Sequence, residues 1–282
     1  MFKTIFYSAT LSAIFIVLRF VPILFHKERY VLLSTIDIVN IILEWIFTTV
    51  VFSFLISISF YFQNPTQLAA VFLAVLLCSF LVSYGYFIYP FLIIFRQNRY
   101  KICEVYQEWV KLNIDKQIVV RILKHNMVNA YATGILSVSK VILLSDKMLE
   151  EMQEKDIKNV IFHEYGHLKN NHLLFLYLSN VLCVSVSVIS GRHFIPIFET
   201  TSIPGLLVAL HGALLGGLYM LVSGLVQRQL EYKADKYASK IVGAASYSET
   251  LIALNVITNG GLEKKSINYP TLKERLKNVS EE

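Results

Sequence analysis

His163, Glu164 and His167 stand in the order H-E-x-x-H within DIKNVIFHEYGHLKNNH, residues 156–172. On a helix, positions i and i+4 lie one above the other on one face, so the two imidazoles can offer nitrogens to a single metal ion. Glu164, one position round, is then placed to take a proton from a water that the metal activates. The spacing predicts zinc-dependent hydrolysis. A catalytic zinc usually has three protein ligands and keeps a fourth position for water, so a further donor must come from elsewhere. QRQLEYKADKYASKIV, residues 227–242, carries Glu231 and Asp235 at helical i, i+4 spacing. Glu231 is the candidate third ligand, and Asp235, one turn on, can accept a hydrogen bond from a ligand histidine and fix its tautomer. Taken alone, the alternating charges of this stretch also suit a solvated helix.

The elements that must bring these residues together are largely apolar. Of 282 residues, 55% are hydrophobic and 16% charged, and the mean hydropathy is positive, far from an ordinary soluble domain. The net charge of +6 comes from basic residues scattered at the ends of apolar runs. It predicts no nucleic-acid partner and serves instead as an orientation signal in a lipid bilayer. The expected architecture is a mainly α membrane protein with about five transmembrane helices and a small α+β cytoplasmic zinc-peptidase domain. Four segments are expected: a three-span membrane region over 1–100, the H-E-x-x-H region over 101–172, a two-span hairpin over 173–226, and a C-terminal cytoplasmic region over 227–282.

The three leading spans are Ile5 to Phe25, Ile38 to Phe62 and Leu68 to Phe95, each long enough to cross a bilayer. Arg19 can snorkel to the headgroups from the end of the first. Glu44, within the second, is expected to face protein or a water-filled cavity, or to lie near the interface. Lys27 and Arg29 follow the first span, and Arg96, Arg99 and Lys101 follow the third. The positive-inside rule puts both groups in the cytoplasm, the amino terminus outside, and HEYGH on the cytoplasmic face. The fourth and fifth spans, Leu173 to Ser190 and Ile203 to Val226, return the chain to that face at Arg228, just before Glu231.

Between the membrane regions, QIVVRILK (117–124) and KVILLS (140–145) are β-branched runs of strand length separated by the turn-forming NMVNAYATG, which predicts a small sheet or hairpin. After it, DKMLEEMQEKDIKNVIFHEYGHL reads as a helix with Asp156 as candidate N-cap. An edge strand beside such a helix can bind an extended substrate by adding it to the sheet; a packing strand is the alternative. Cys78, Cys103 and Cys183 have no ligand spacing and read as packing residues. His172, five residues after His167, is expected to turn off the ligand face and lie at the interface. His211, inside the fifth span, reads as a hydrogen-bonded packing residue, and His26, His125 and His193 carry no spacing signal.

The order NAYATG (129–134), HEYGHLKNNH (163–172), two apolar spans, EYKAD (231–235) and YPTLKERL (269–276) resembles the integral-membrane zinc peptidases of the HtpX and CaaX prenyl protease type over residues 100–282. Those enzymes show N-A-[FY]-x-x-G on a strand, H-E-x-G-H, E-x-x-A-D, and H-P-x-x-x-E-R near the end. The resemblance implies Zn2+ held by His163, His167 and Glu231, with Glu164 as general base and Asp235 supporting a ligand from behind. It also implies Asn129 beside the substrate strand and Arg275 near the cleft. Tyr269 stands where the family has histidine, so no role passes to it. Three leading spans with an outside amino terminus resemble instead the β-lactam-sensor membrane peptidases, which lack the NAYATG and PTLKER matches.

The function these readings imply is a zinc-dependent endopeptidase in the plasma membrane of a bacterium, acting on a peptide or protein substrate, whether soluble or membrane-associated. Arg275 or a tyrosine is expected to steady the oxyanion. The reading from another class is a non-catalytic membrane scaffold with a structural metal. It lacks the cysteines such sites usually use, because none lies near HEYGH.

Overall fold

The structure is a computed structural model and describes residues 86–87, 89–95, 100–125 and 127–281. The first two leading spans, most of the third, Arg19, Glu44, Cys78, His26 and the orienting residues Lys27, Arg29, Arg96 and Arg99 lie outside the described residues.

Ser83–Leu178 and Ser223–Glu282 form one compact unit; Ser179–Val222 belong to another. The first unit begins with α1 (Tyr89–Phe95), β1 (Tyr100–Ile102), α2 (Glu104–Asn113), β2 (Val119–Leu123), β3 (Ala130–Thr133) and β4 (Val141–Ser145). The strands make one sheet in the order β1-β2-β4-β3. β4 runs parallel to β2, with Arg121 opposite Leu143, and antiparallel to β3, with Tyr131 opposite Leu143. No hairpin joins the two β-branched runs. The chain passes beyond β4's place to lay NAYATG down as the outer strand β3, then returns through the middle. The expected turn is thus itself a strand. Every residue of the central β4 is buried, as its uninterrupted VILLS run requires. Gly134 closes the β3–β4 turn at φ +94, and a Cβ there would lie 1.9 Å from the Ser139 carbonyl oxygen; only glycine fits.

On one face of the sheet Val120, Ile142 and Leu144 join Val110 of α2 and Ile157 and Ile161 of the following helical layer in the main core. On the other, buried Arg121 donates from Nη1 to the Tyr100 carbonyl and from Nη2 to the Ile94 carbonyl, at 3.1 and 3.0 Å. It ties the last turn of α1 to the sheet.

The expected single helix before the metal motif is two. α3 (Asp146–Glu151) is capped by Ser145, whose hydroxyl accepts the Met148 N–H, and α4 (Glu154–Lys169) starts after a break at Met152 and Gln153. Gln153 takes the N-cap position of α4. Asp156 is therefore not the cap. It sits in the first turn, where a carboxylate suits the helix dipole, and accepts a 2.6 Å hydrogen bond from Thr250.

α5 (His172–Glu199) and α6 (Pro204–Val242) are 28 and 39 residues long. Among the described residues these two are long and apolar enough to cross a membrane, and little of their apolar surface is buried. Leu206, Leu210, Leu214, Leu218 and Leu225 are all exposed along α6. Such a stripe suits lipid rather than water. Within Ser179–Val222, His211 Nε2 lies 3.1 Å from the Ser190 hydroxyl and packs against Phe194 and Phe198, the hydrogen-bonded packing role expected of it. Two shorter helices, α7 (Ala244–Ile257) and α8 (Leu272–Ser280), complete the first unit. The Thr271–Glu274 capping box starts α8.

Candidate metal centre

His163 and His167 project from one face of α4, as their spacing dictates. The polar end of α6 lies alongside, admitted by Gly166: a Cβ there would meet the Tyr237 ring at 3.1 Å. Glu231 thereby comes to the histidines. Its two carboxylate oxygens lie 3.4 Å from His163 Nε2 and 3.6 Å from His167 Nε2, and the two Nε2 atoms are 3.3 Å apart. Two ligands of a tetrahedral zinc, each about 2.0–2.1 Å from the ion, are separated by about 3.3–3.4 Å. The three donors therefore fit zinc in chemistry and in spacing. They are the sole His/Cys/Asp/Glu group of this kind among the described residues, and no cysteine belongs to it.

Behind His163, Asp235 is fully buried. Its Oδ1 lies 3.0 Å from His163 Nδ1 and its Oδ2 accepts from Arg275 Nε at 2.8 Å; a second bond from Arg275 Nη2 reaches Oδ1. A ligand histidine backed by a carboxylate has its proton held on Nδ1 and its Nε2 lone pair free. Arg275 thus sits behind the ligand layer, committed to Asp235. Tyr247 of α7 joins this cluster, its hydroxyl 2.9 Å from His163 Nδ1 and donating to Asp235 at 2.7 Å. No spacing in the sequence marks Tyr247, which lies 84 residues from His163.

His167 is backed differently. Its Nδ1 lies 3.1 Å from Nδ1 of His172, a residue only 2% exposed. The expectation that His172 turns away assumed that the motif helix runs on into the next span. Asn170 instead ends α4, its side-chain amide donating to the Gly166 carbonyl at 3.0 Å, and Asn171 is left-handed at φ 53. On an unbroken helix a residue five positions on is rotated by about 140°; the break returns His172 to His167.

Glu164 is buried beside the donors. Burial pushes its carboxyl up to about 7, against the pull of the charge on His163, the Ala132 N–H and Arg275, while the Glu231 carboxylate reinforces the rise. The Ala132 contact brings β3 to the site. Ser145 N–H bonds the Asn129 carbonyl, so alternation along an antiparallel pair turns the backbone groups of Ala130 and Ala132 to the free edge. Asn129 serves that edge: its carbonyl Oδ1 accepts the Ala130 N–H at 2.9 Å and its amide donates to the Tyr131 hydroxyl at 2.6 Å. Tyr269 is half-exposed, and its hydroxyl accepts from Gln227, one turn before Glu231, at 2.8 Å.

A model of peptidase family M48 matches residues 97–282. The chain is 27% identical over 160 residues to the Protease HtpX homolog of Fusobacterium nucleatum, covering 53% of this chain and 50% of that protein. It is 31% identical over 123 residues to the Protease HtpX homolog of Neisseria meningitidis, covering 41% and 44%. The chain spans about half the length of these curated relatives. Its fold is similar to that in the crystal structure of S. mikatae Ste24p, with a TM-score of 0.62 at 21% identity over 85% of this chain and 64% of that one. These findings select the HtpX and prenyl protease resemblance over the β-lactam-sensor one. With the family's own model aligned along well over half of its length, the chain belongs to peptidase family M48.

Proposed function

We propose that the protein is a membrane-embedded zinc-dependent endopeptidase in which His163, His167 and Glu231 hold the metal and Glu164 is the general base. The observation that carries this reading is the convergence of His163, His167 and Glu231, whose ligand atoms all lie within 4.8 Å of one another, with the buried Glu164 side chain next to them. Zinc, when bound, supplies a Lewis acid that polarises the scissile carbonyl and makes water a nucleophile near neutral pH. The chain's own groups do the rest. Glu164, buried beside the donors, takes the water's proton and delivers it to the leaving amine. Asp235, clamped by Arg275, and Tyr247 keep His163 in the tautomer that leaves Nε2 free. β3 binds the substrate in extended form along its outward carbonyls, with Ala132 next to Glu164. Arg275 is spent on Asp235, which leaves a tyrosine for the oxyanion. Tyr269 receives its hydrogen bond from Gln227 and so keeps its own O–H proton to donate.

The four segments 1–100, 101–172, 173–226 and 227–282 are proposed as organised in the bilayer with the site on the cytoplasmic face of a bacterial plasma membrane. The substrate is a peptide or a protein, membrane-associated in keeping with where the site lies. A scaffold with a structural metal suits the donors less well, because three ligands leave a coordination position open where a structural site closes all four.

Purified Glu164→Gln protein is expected to keep zinc and lose peptide cleavage, while His163→Ala loses both. Undiminished, chelator-sensitive cleavage by Glu164→Gln would overturn the assignment.

A further inference from the structure

We propose that His172 is a positioning residue for the metal site: its Nδ1 accepts the Nδ1–H of His167 and so locks His167 with its Nε2 lone pair toward His163 and Glu231. This rests on the metal site proposed above. A ligand imidazole that offers Nε2 must carry its proton on Nδ1, and a buried N–H requires an acceptor. For His163 that acceptor is Asp235, supported by Tyr247. For His167 the partner is the Nδ1 of His172 at 3.1 Å, and no carboxylate approaches from that side in the described contacts. The two histidines of one motif are thus held by different chemistry. One is backed by an anion and the other by a neutral ring, a weaker acceptor that leaves His167 the less electron-rich ligand.

Two observations separate this from simple packing. The left-handed Asn171 ends α4 in a conformation that few residues other than glycine and asparagine adopt readily, and its effect is to turn His172 back toward His167. Accepting at Nδ1 also leaves the His172 proton on Nε2, and that buried nitrogen has no hydrogen-bond partner among the described residues. Leucine or phenylalanine would fill the same space without a stranded N–H. A buried N–H left unmet in this way calls for an explanation that packing alone does not give.

The experiment uses the full chain in detergent in the Glu164→Gln background, so that the readout is zinc affinity, measured by competition with a chromophoric chelator, and not activity. His172→Phe keeps the ring and removes the acceptor, and is expected to weaken zinc binding about 10- to 100-fold. His172→Asn places an amide oxygen where Nδ1 was and is expected to restore most of the affinity. His172→Ala gives the same comparison if the phenyl ring is not accommodated. Unchanged affinity in His172→Phe or His172→Ala would overturn the inference, and so would an Asn variant as weak as either. Failure of the Glu164→Gln parent itself to bind zinc would strike instead at the metal site.

Discussion

Asp235 shows how much one buried side chain does here. It accepts from Arg275, Tyr247 and His163 at once, so its charge is balanced and its lone pairs are used. A carboxylate in that position is tolerated in a protein interior only because those partners are present. Removing it strands the Arg275 guanidinium, itself buried, and breaking a buried pair from one side costs about 3–5 kcal/mol. Asp235→Ala is therefore expected to lower the stability of the zinc-free protein by that amount, measured by chemical unfolding in detergent. Asp235→Ala combined with Arg275→Met is expected to recover most of it, because no unpaired ion remains. If the single and double variants unfold alike, the pair is not what holds this corner together. The spacing of Glu231 and Asp235 pointed to ligand and support, and the family pattern to Arg275. Tyr247 was not legible, since a lone tyrosine with no motif spacing to the ligands carries no signal of its own.

β3 is the element on which substrate binding depends in the proposed reading. Among the described residues no strand pairs with its outer edge, because β4 enters the sheet between it and β2, and its position relative to α4 puts the Ala132 N–H at Glu164. That register is closed by Gly134, where any side chain meets the Ser139 carbonyl. Gly134→Ala is expected to cost at least about 1–3 kcal/mol through its strained backbone alone. It should raise KM for peptide far more than it weakens zinc binding; an unaltered KM would show that the edge strand does not carry the substrate. The two flanking strands were visible as β-branched runs. NAYATG between them was legible as a strand only through the family pattern, because its small and polar residues match a turn as well as an edge, and the pairing of β4 with β2 is a long-range choice. The break at Asn171 was hidden for a similar reason: asparagine tolerates the left-handed conformation but does not demand it.

At the scale of the whole molecule, two stretches that carry the donors, residues 163–167 and 231–235, come together although apolar helices lie between them in the chain. The proposed topology requires both to lie on the cytoplasmic face. Single cysteines at Glu150 and Lys277, both on exposed positions of the unit that holds the site, are expected to react with a hydrophilic maleimide only from that face. The background would lack Cys78, Cys103 and Cys183. Reaction of the two from opposite sides would dismantle the site. Sequence alone determined what depends on the near neighbourhood of a residue: two imidazoles at one turn's spacing, a carboxylate pair at the same spacing, and the long apolar helices. Tertiary structure decided which side chains stand behind those ligands. Tyr247 reaches His163, His172 reaches His167 and Ala132 reaches Glu164 through the angles at which helices break and pack against a sheet. Those angles are set by the filling of a shared core, and a helical or strand period records only the face a residue occupies on its own element.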